Sequence, residues 1–241
     1  MNAIRLQKPD IGSQVLFEDN HLIAISKLPG QITQGDKTGD VPLGDWVKQF
    51  LKEKYQKPGN VFCGTIHRLD RPVSGVVLFA KTGKALERMN ELFRSRQVQK
   101  TYWAVVKNKP AKEEDTLVHY LMKNEIKNKS FASLQSKDGA THCELSYKLL
   151  TSSDHYHLLE VNPLTGRHHQ IRVQLSAIGC PIKGDLKYGA DRSNADGSIH
   201  LHARKLTFVH PVKSEPVCIV AKPPEEPLWN YFVQQLTNTK E

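Results

Sequence analysis

Asp70 stands between Arg68 and Arg71 in the stretch CGTIHRLDRPVSGVVLFAK (63–81), directly ahead of an apolar, β-branched run. A single carboxylate can act as nucleophile or base if it stays ionised inside a closed pocket. Burial raises its pKa and a cation a few ångströms away lowers it. A buried, functional Asp70 therefore needs a guanidinium partner, arginine being better than lysine because it does not give up its proton. The competing structural reading is that Asp70 caps the turn Asp-Arg-Pro. Other chemistries lack their residues: there is no GxxxxGK[ST] phosphate loop, no GxGxxG after a strand and no GxSxG elbow. His67 with Asp70 suggests a hydrolytic dyad, but no serine or cysteine stands out as its nucleophile. A glycosidase would want a second carboxylate flanking the same site.

The 241-residue chain can bury a sizeable core, and its hydrophobic content of 39% is that of a globular protein. No apolar run approaches a membrane span, and MNAIRLQKPD lacks the apolar stretch of a signal peptide. These features point to a soluble, cytoplasmic protein with no membrane partner. Cys63, Cys143, Cys180 and Cys218 are far apart and form no CxxC pair, so buried reduced thiols are expected. His155 with His157, and His200 with His202, share a strand face at two-residue spacing, but no third ligand is suggested nearby and no metal is expected.

A net charge of +9 favours a polyanionic partner. Between Leu92 and Lys112 lie Arg94, Arg96, Lys100, Lys107, Lys109 and Lys112 with no acid among them, together with Tyr102 and Trp103. Basic residues interleaved with aromatics suit a phosphate backbone with an unstacked base. A solvated surface on a merely basic protein reads the same way.

Several elements must hold these residues. Val15–Asp19 and Leu22–Lys27 read as strands around the turn-prone Asn20-His21, and 28–41 as a loop. A helix follows from Pro42, with Leu43, Trp46, Val47, Phe50 and Leu51 on one face. Thr82–Arg96 reads as a second helix capped by Thr82, and Thr165–Gly179 as a third capped by Thr165, with Arg172 bordering its buried face. Val98–Val106, Cys143–Thr151, His155–Val161, His200–Val209 and Val217–Ala221 are strand-like, while Lys107–Asp115 and Lys187–Gly197 are loop-like. The fold class is α+β around a mixed, largely antiparallel sheet with flanking helices. The expected organisation is a short extension (1–12), one domain (13–236) and a tail (237–241).

HRLDRPVSGVVLFAK resembles the HRLDxxTSG signature of the RluA-type RNA pseudouridine synthases, with Val73 in place of Thr. FEDNHLIAISKLPG (17–30) resembles that family's opening strand pair, and QKTYWAVV (99–106) its KxYxAxV element. TGRHHQIRVQLSAIGCPIKGDLKYG (165–189) and LHARKLTFVHP (201–211) resemble two further blocks, in the right order. The family departures are Val73, Gln174 and Cys180. Many relatives carry an N-terminal S4 domain; with only a dozen or so residues ahead of the first block, none is expected here.

The resemblance implies an RNA-binding cleft across the sheet and conversion of uridine in RNA to pseudouridine, with no cofactor and no metal. It implies a catalytic set of Asp70, Tyr102 and Arg172. Asp70 either adds covalently to the nucleotide or abstracts a sugar proton on the way to a glycal. Tyr102 would stack on the target uracil, and Arg172 would be the guanidinium partner of Asp70. Arg68 resembles the residue that enters the stack as the nucleotide leaves, or it contacts phosphate. Arg71, Lys100, Lys107, Lys109, Arg167 and His168 complete the expected RNA contacts, with Arg167 and His168 near a helix start. His67 is expected to order the loop, and Ser74-Gly75 to shape the turn behind Asp70. LDRP leans toward tRNA and HQIRV toward rRNA. The expected state is a monomer, and the alternative function is a non-catalytic RNA-binding or RNA-folding protein on the same scaffold.

Overall fold

The computed structural model describes residues 9–36 and 38–238; of the expected terminal segments, residues 1–8 and 239–241 lie outside the described residues, as does Lys37 of the loop 28–41. The apolar run behind Asp70 forms β4 (Ser74–Ala80), buried along its whole length because both faces are covered. Val77 and Phe79 enter one core, and Val76, Leu78 and Ala80 another.

Among the described residues one sheet runs in the order β1 (Val15–Glu18), β2 (Leu22–Lys27), β4, β10 (Leu201–Val209), β5 (Gln99–Val106), β9 (His157–Pro163), β8 (Thr141–Ser152), β6 (Glu114–Asn124) and β7 (Lys129–Ser133). The short β3 (Gly64–Thr65) pairs with β4, and β11 (Pro216–Val220) with β10. β4 and β10 are parallel; the other named pairs are antiparallel. The α+β expectation holds. At the parallel joint Gly75 faces Ala203 with φ +116°, and a Cβ there would overlap the Ala203 backbone. Gly75 is thus required by a close strand approach as well as by its backbone angle.

The helices cover the sheet in pairs. On one face lie α2 (Leu43–Lys54), through Leu43, Val47 and Leu51, and α4 (Gln170–Ala177), through Ile171 and Leu175. The other face takes α3 (Gly83–Arg94), through Ala85 and Met89, and α5 (Pro227–Asn238), through Trp229 and Phe232. A single turn, α1 (Ile11–Gln14), packs beside α2. Thr82 caps α3 as expected, accepting the Ala85 N–H at 3.2 Å.

Four expectations are corrected. The helix expected from Thr165 starts only at Gln170. Thr165 Oγ1 accepts the Glu144 N–H at 3.0 Å and donates to Gln170 Oε1 at 2.8 Å, lacing residues 165–169 to β8 as a loop. His169 then adopts φ +53°, which no helix interior tolerates. The stretch expected as a loop to Asp115 ends at Glu113, and the long β6 begins at Glu114. Cys63, Cys143 and Cys180 are buried, but Cys218 is exposed because β11 lies at the sheet margin. His155 lies in a turn outside β9, so it shares no strand face with His157.

Candidate active site

Asp70 sits in the loop between β3 and β4. Its backbone carbonyl accepts the Val73 N–H at 3.0 Å and closes the turn, so the side chain is not spent on capping. Three elements fix this loop. Lys27, at the end of β2, is fully buried and donates its Nζ hydrogens to the carbonyls of Leu28 and Arg71, both at 3.1 Å, and of Val73. Thr33 Oγ1 donates to the Leu69 carbonyl at 3.1 Å. His67 Nε2 accepts the Leu78 N–H at 3.1 Å, and burial pushes that imidazole down to about 4. Neutral His67 therefore orders the loop, as expected of it.

The guanidinium demanded by Asp70 comes from α4. Arg172 Nη1 donates to Asp70 Oδ2 at 2.9 Å, while Nε and Nη2 donate to Asp185 Oδ2 and Oδ1 at 2.7 and 2.8 Å. This two-pronged pairing fixes the plane of the guanidinium. The side chains of Arg172 and Asp185 are 6% and 2% exposed, whereas that of Asp70 is 30% exposed. One carboxylate thus locks the arginine and the other is presented to the cleft.

Burial works to raise the Asp70 pKa, but His169 and Arg172 outweigh it and hold the carboxyl below its ordinary range. Burial drives His169 itself down to about 3. At neutral pH that ring is uncharged, and the guanidinium is the cation that keeps Asp70 ionised.

Asp70 opens into a cleft of about 160 Å³ lined also by Arg68, Lys100, Tyr102, Arg167 and His168. Lys100 and Tyr102 share it because alternate residues of β5 face the same side. Burial, and then the Asp70 charge, raise the Tyr102 phenol above its ordinary pKa, so it stays protonated at neutral pH. The cleft continues past Lys100 and Arg167 into a groove of about 860 Å³ that adds Arg94, Arg96 and Lys205, with Glu160 in its wall.

The remaining candidates lie elsewhere. Arg71 does not line the cleft; its guanidinium binds Asp40 at 2.6 Å and Asp36 at 2.9 Å, tying the loop 28–41 to the loop of Asp70. Lys107 pairs with Asp191, and Lys109 with Glu113 at 3.4 Å, at the opposite end of β5. His200 and His202 are buried; His202 Nδ1 meets Ser74 Oγ at 2.9 Å across the β4–β10 joint. Sequence reasoning passed over Lys27, His169, Asp185 and Tyr188. The signal was present, since all four lie in stretches quoted for the resemblance (KLPG, RHHQIR and GDLKYG).

A largely antiparallel sheet thus brings a carboxylate paired with Arg172, an aromatic residue and a basic groove into one cleft. The chain belongs to the RNA pseudouridylate synthase family, which matches residues 21–177. It is 31% identical over 223 residues to ribosomal large subunit pseudouridine synthase C of Rickettsia prowazekii, covering 92% of this chain and 71% of that one. It is 30% identical over 231 residues to tRNA pseudouridine synthase C of Pectobacterium carotovorum, covering 87% of this chain and 58% of that one. Among solved structures, human RNA pseudouridylate synthase domain containing 4 superposes with a TM-score of 0.76 at 25% identity, over 94% of both chains. No helix of the described residues is long and apolar enough to cross a membrane.

Proposed function

We propose that this protein isomerises a particular uridine to pseudouridine in a structured tRNA or rRNA, with Asp70 as the group that acts on a nucleotide flipped out of its stack. The observation that carries this reading is the Arg172–Asp70 contact of 2.9 Å in a cleft shared with Tyr102. In the reaction the N1–C1′ bond breaks, the uracil turns, and C5 bonds to C1′. Asp70 serves either as the nucleophile that holds the nucleotide or as the base that removes a sugar proton. Tyr102 stacks on the uracil, which is worth about 1–3 kcal/mol and offsets part of the few kcal/mol of unstacking. Arg68, exposed at the cleft, fills the gap in the stack or contacts phosphate, and Lys100, Arg167 and His168 hold the flanking backbone. No cofactor or metal enters the scheme, and a cytoplasmic monomer is the accompanying state.

Asp70→Asn tests the reading because it removes charge with little change of shape. Turnover is expected to vanish while RNA affinity stays within about twofold, since phosphate contacts supply most of the binding. Loss of affinity together with activity would mark Asp70 as structural and favour the non-catalytic RNA binder. Labelling pseudouridine in cellular RNA with and without the gene then identifies the substrate.

A further inference from the structure

Asp70 has a second neighbour besides Arg172. His169 Nε2 lies 3.5 Å from Asp70 Oδ2, and its Nδ1 lies 2.9 Å from Tyr188 Oη. The same Oη accepts the backbone N–H of Ser130, on β7, at 2.9 Å. An amide N–H can only donate, so the phenol spends a lone pair there and has one hydrogen left to place. We propose that Tyr188 gives this hydrogen to Nδ1 of His169 and so holds the imidazole as the neutral tautomer with its proton on Nε2, aimed at Asp70. His169 and Tyr188 are then positioning residues for the carboxylate. The inference rests on Asp70 being the reacting group.

The other two states of the ring conflict with its surroundings. A proton on Nδ1 would leave a bare Nε2 lone pair facing the Asp70 carboxylate, acceptor against acceptor. An imidazolium would sit buried beside Arg172, with His168 stacked on it at 3.7 Å and Lys187 nearby, and burial with those cations outweighs the attraction of Asp70. A neutral donor is what remains. The distance of 3.5 Å is long for a hydrogen bond, and such contacts at catalytic groups often shorten only when substrate binds.

The backbone has been bent to make this contact. His169 is the left-handed residue at φ +53° that opens α4, and Arg172 follows three positions later on the same side of the chain. Strain of this kind persists only where the surroundings impose it. Here they do: the Tyr188 ring lies edge-on to His169 at 5.6 Å and under the Arg172 guanidinium at 5.1 Å. Both contacts to Asp70 fall on Oδ2, and Oδ1 has no hydrogen-bond partner among the described residues. One oxygen is therefore anchored from two directions, and the other is the atom offered to the nucleotide.

The test uses the full chain labelled with ¹⁵N in its histidine rings. Near neutral pH, a two-bond ¹H–¹⁵N correlation spectrum is expected to show His169 with a bare Nδ1 and a protonated Nε2, unchanged down to about pH 5. Tyr188→Phe keeps the ring but removes the hydrogen; the single tautomer is expected to give way to a mixture, with kcat falling roughly tenfold and KM staying within about twofold. His169→Gln, whose amide nitrogen reaches the place of Nε2, should retain most of the turnover that His169→Ala loses. A proton found on Nδ1, a tautomer indifferent to Tyr188→Phe, or a glutamine variant no better than alanine would each overturn the proposal. A wild-type protein showing the stated tautomer but converting no uridine would instead defeat the functional reading and leave the tautomer standing.

Discussion

The two ends of β5 carry the same kind of residue in opposite circumstances. At its start, Lys100 borders the cleft and, with Arg96, Arg167 and Lys205, lines the groove beyond it. Among the described residues none of these four forms an ion pair with a carboxylate, although Glu160 stands in the groove wall. Just past its end, about 23 Å away at ~3.3 Å per residue, Lys107 pairs with Asp191, Lys109 with Glu113 and Lys112 with Asp115. In the sequence both ends belong to one acid-free basic run. In space the first end keeps Arg96 and Lys100 free of carboxylates among the described residues, although Arg94 pairs with Glu91. Asp191, Glu113 and Asp115 instead neutralise the second end. A charge run predicts an RNA path only after its partners are known. The groove end is the one that extends from Asp70.

This contrast can be broken at several points. The largest effect is expected from Arg172→Gln, which strips Asp70 and Asp185 of their shared cation. Removing one partner of a buried pair costs about 3–5 kcal/mol, and turnover should collapse with it. The check is a urea melt alongside single-turnover kinetics. Next comes pH. The wild-type Asp70 pKa lies below the ordinary value of 3.8, so the carboxylate's contribution to stability is present above that value and is lost as pH falls through the depressed one. Activity should accordingly have no Asp70 limb between neutrality and about pH 5, and whatever rate survives in Arg172→Gln should show that limb moved upward.

The double variant Lys100→Gln/Arg167→Gln should lower the slope of log affinity against log salt by about 1.4–1.8, for two phosphate contacts. The smallest effect is expected from Lys107→Gln/Lys109→Gln. These exposed pairs are worth about 0–1 kcal/mol and are already neutralised, so the salt slope should stay nearly constant. A larger slope change from this second pair than from the first would reverse the comparison.

Most of the fold was legible because its strands and helices follow simple periods. β1, β2, α2, α3, β5, β8 and β10 fall within a few residues of their expected bounds. β6 and β7 were not, for a specific reason. The buried middle position of β6 is His119, between Leu117 and Leu121, and in β7 Ser130 is buried while Phe131 is exposed. Polar groups in the core broke the alternation that marks a half-buried strand. Yet Ser130 is the residue that fixes Tyr188, so the least legible strand supports the inner wall of the site.

Taken alone, the sequence determined the α+β class, the sheet-facing side of α2 and the need of a buried Asp70 for an arginine, since each depends on periodicity or on the cost of a buried charge. The tertiary structure decided which groups meet. It set Asp185 behind Arg172, aimed His169 at Asp70 by a left-handed turn, and gave Arg71 to Asp36 and Asp40. Pairings between residues tens of positions apart depend on how the sheet orders its strands. Local propensity carries no information about that order, because it acts over a few residues and strand order is settled by the burial of the whole core.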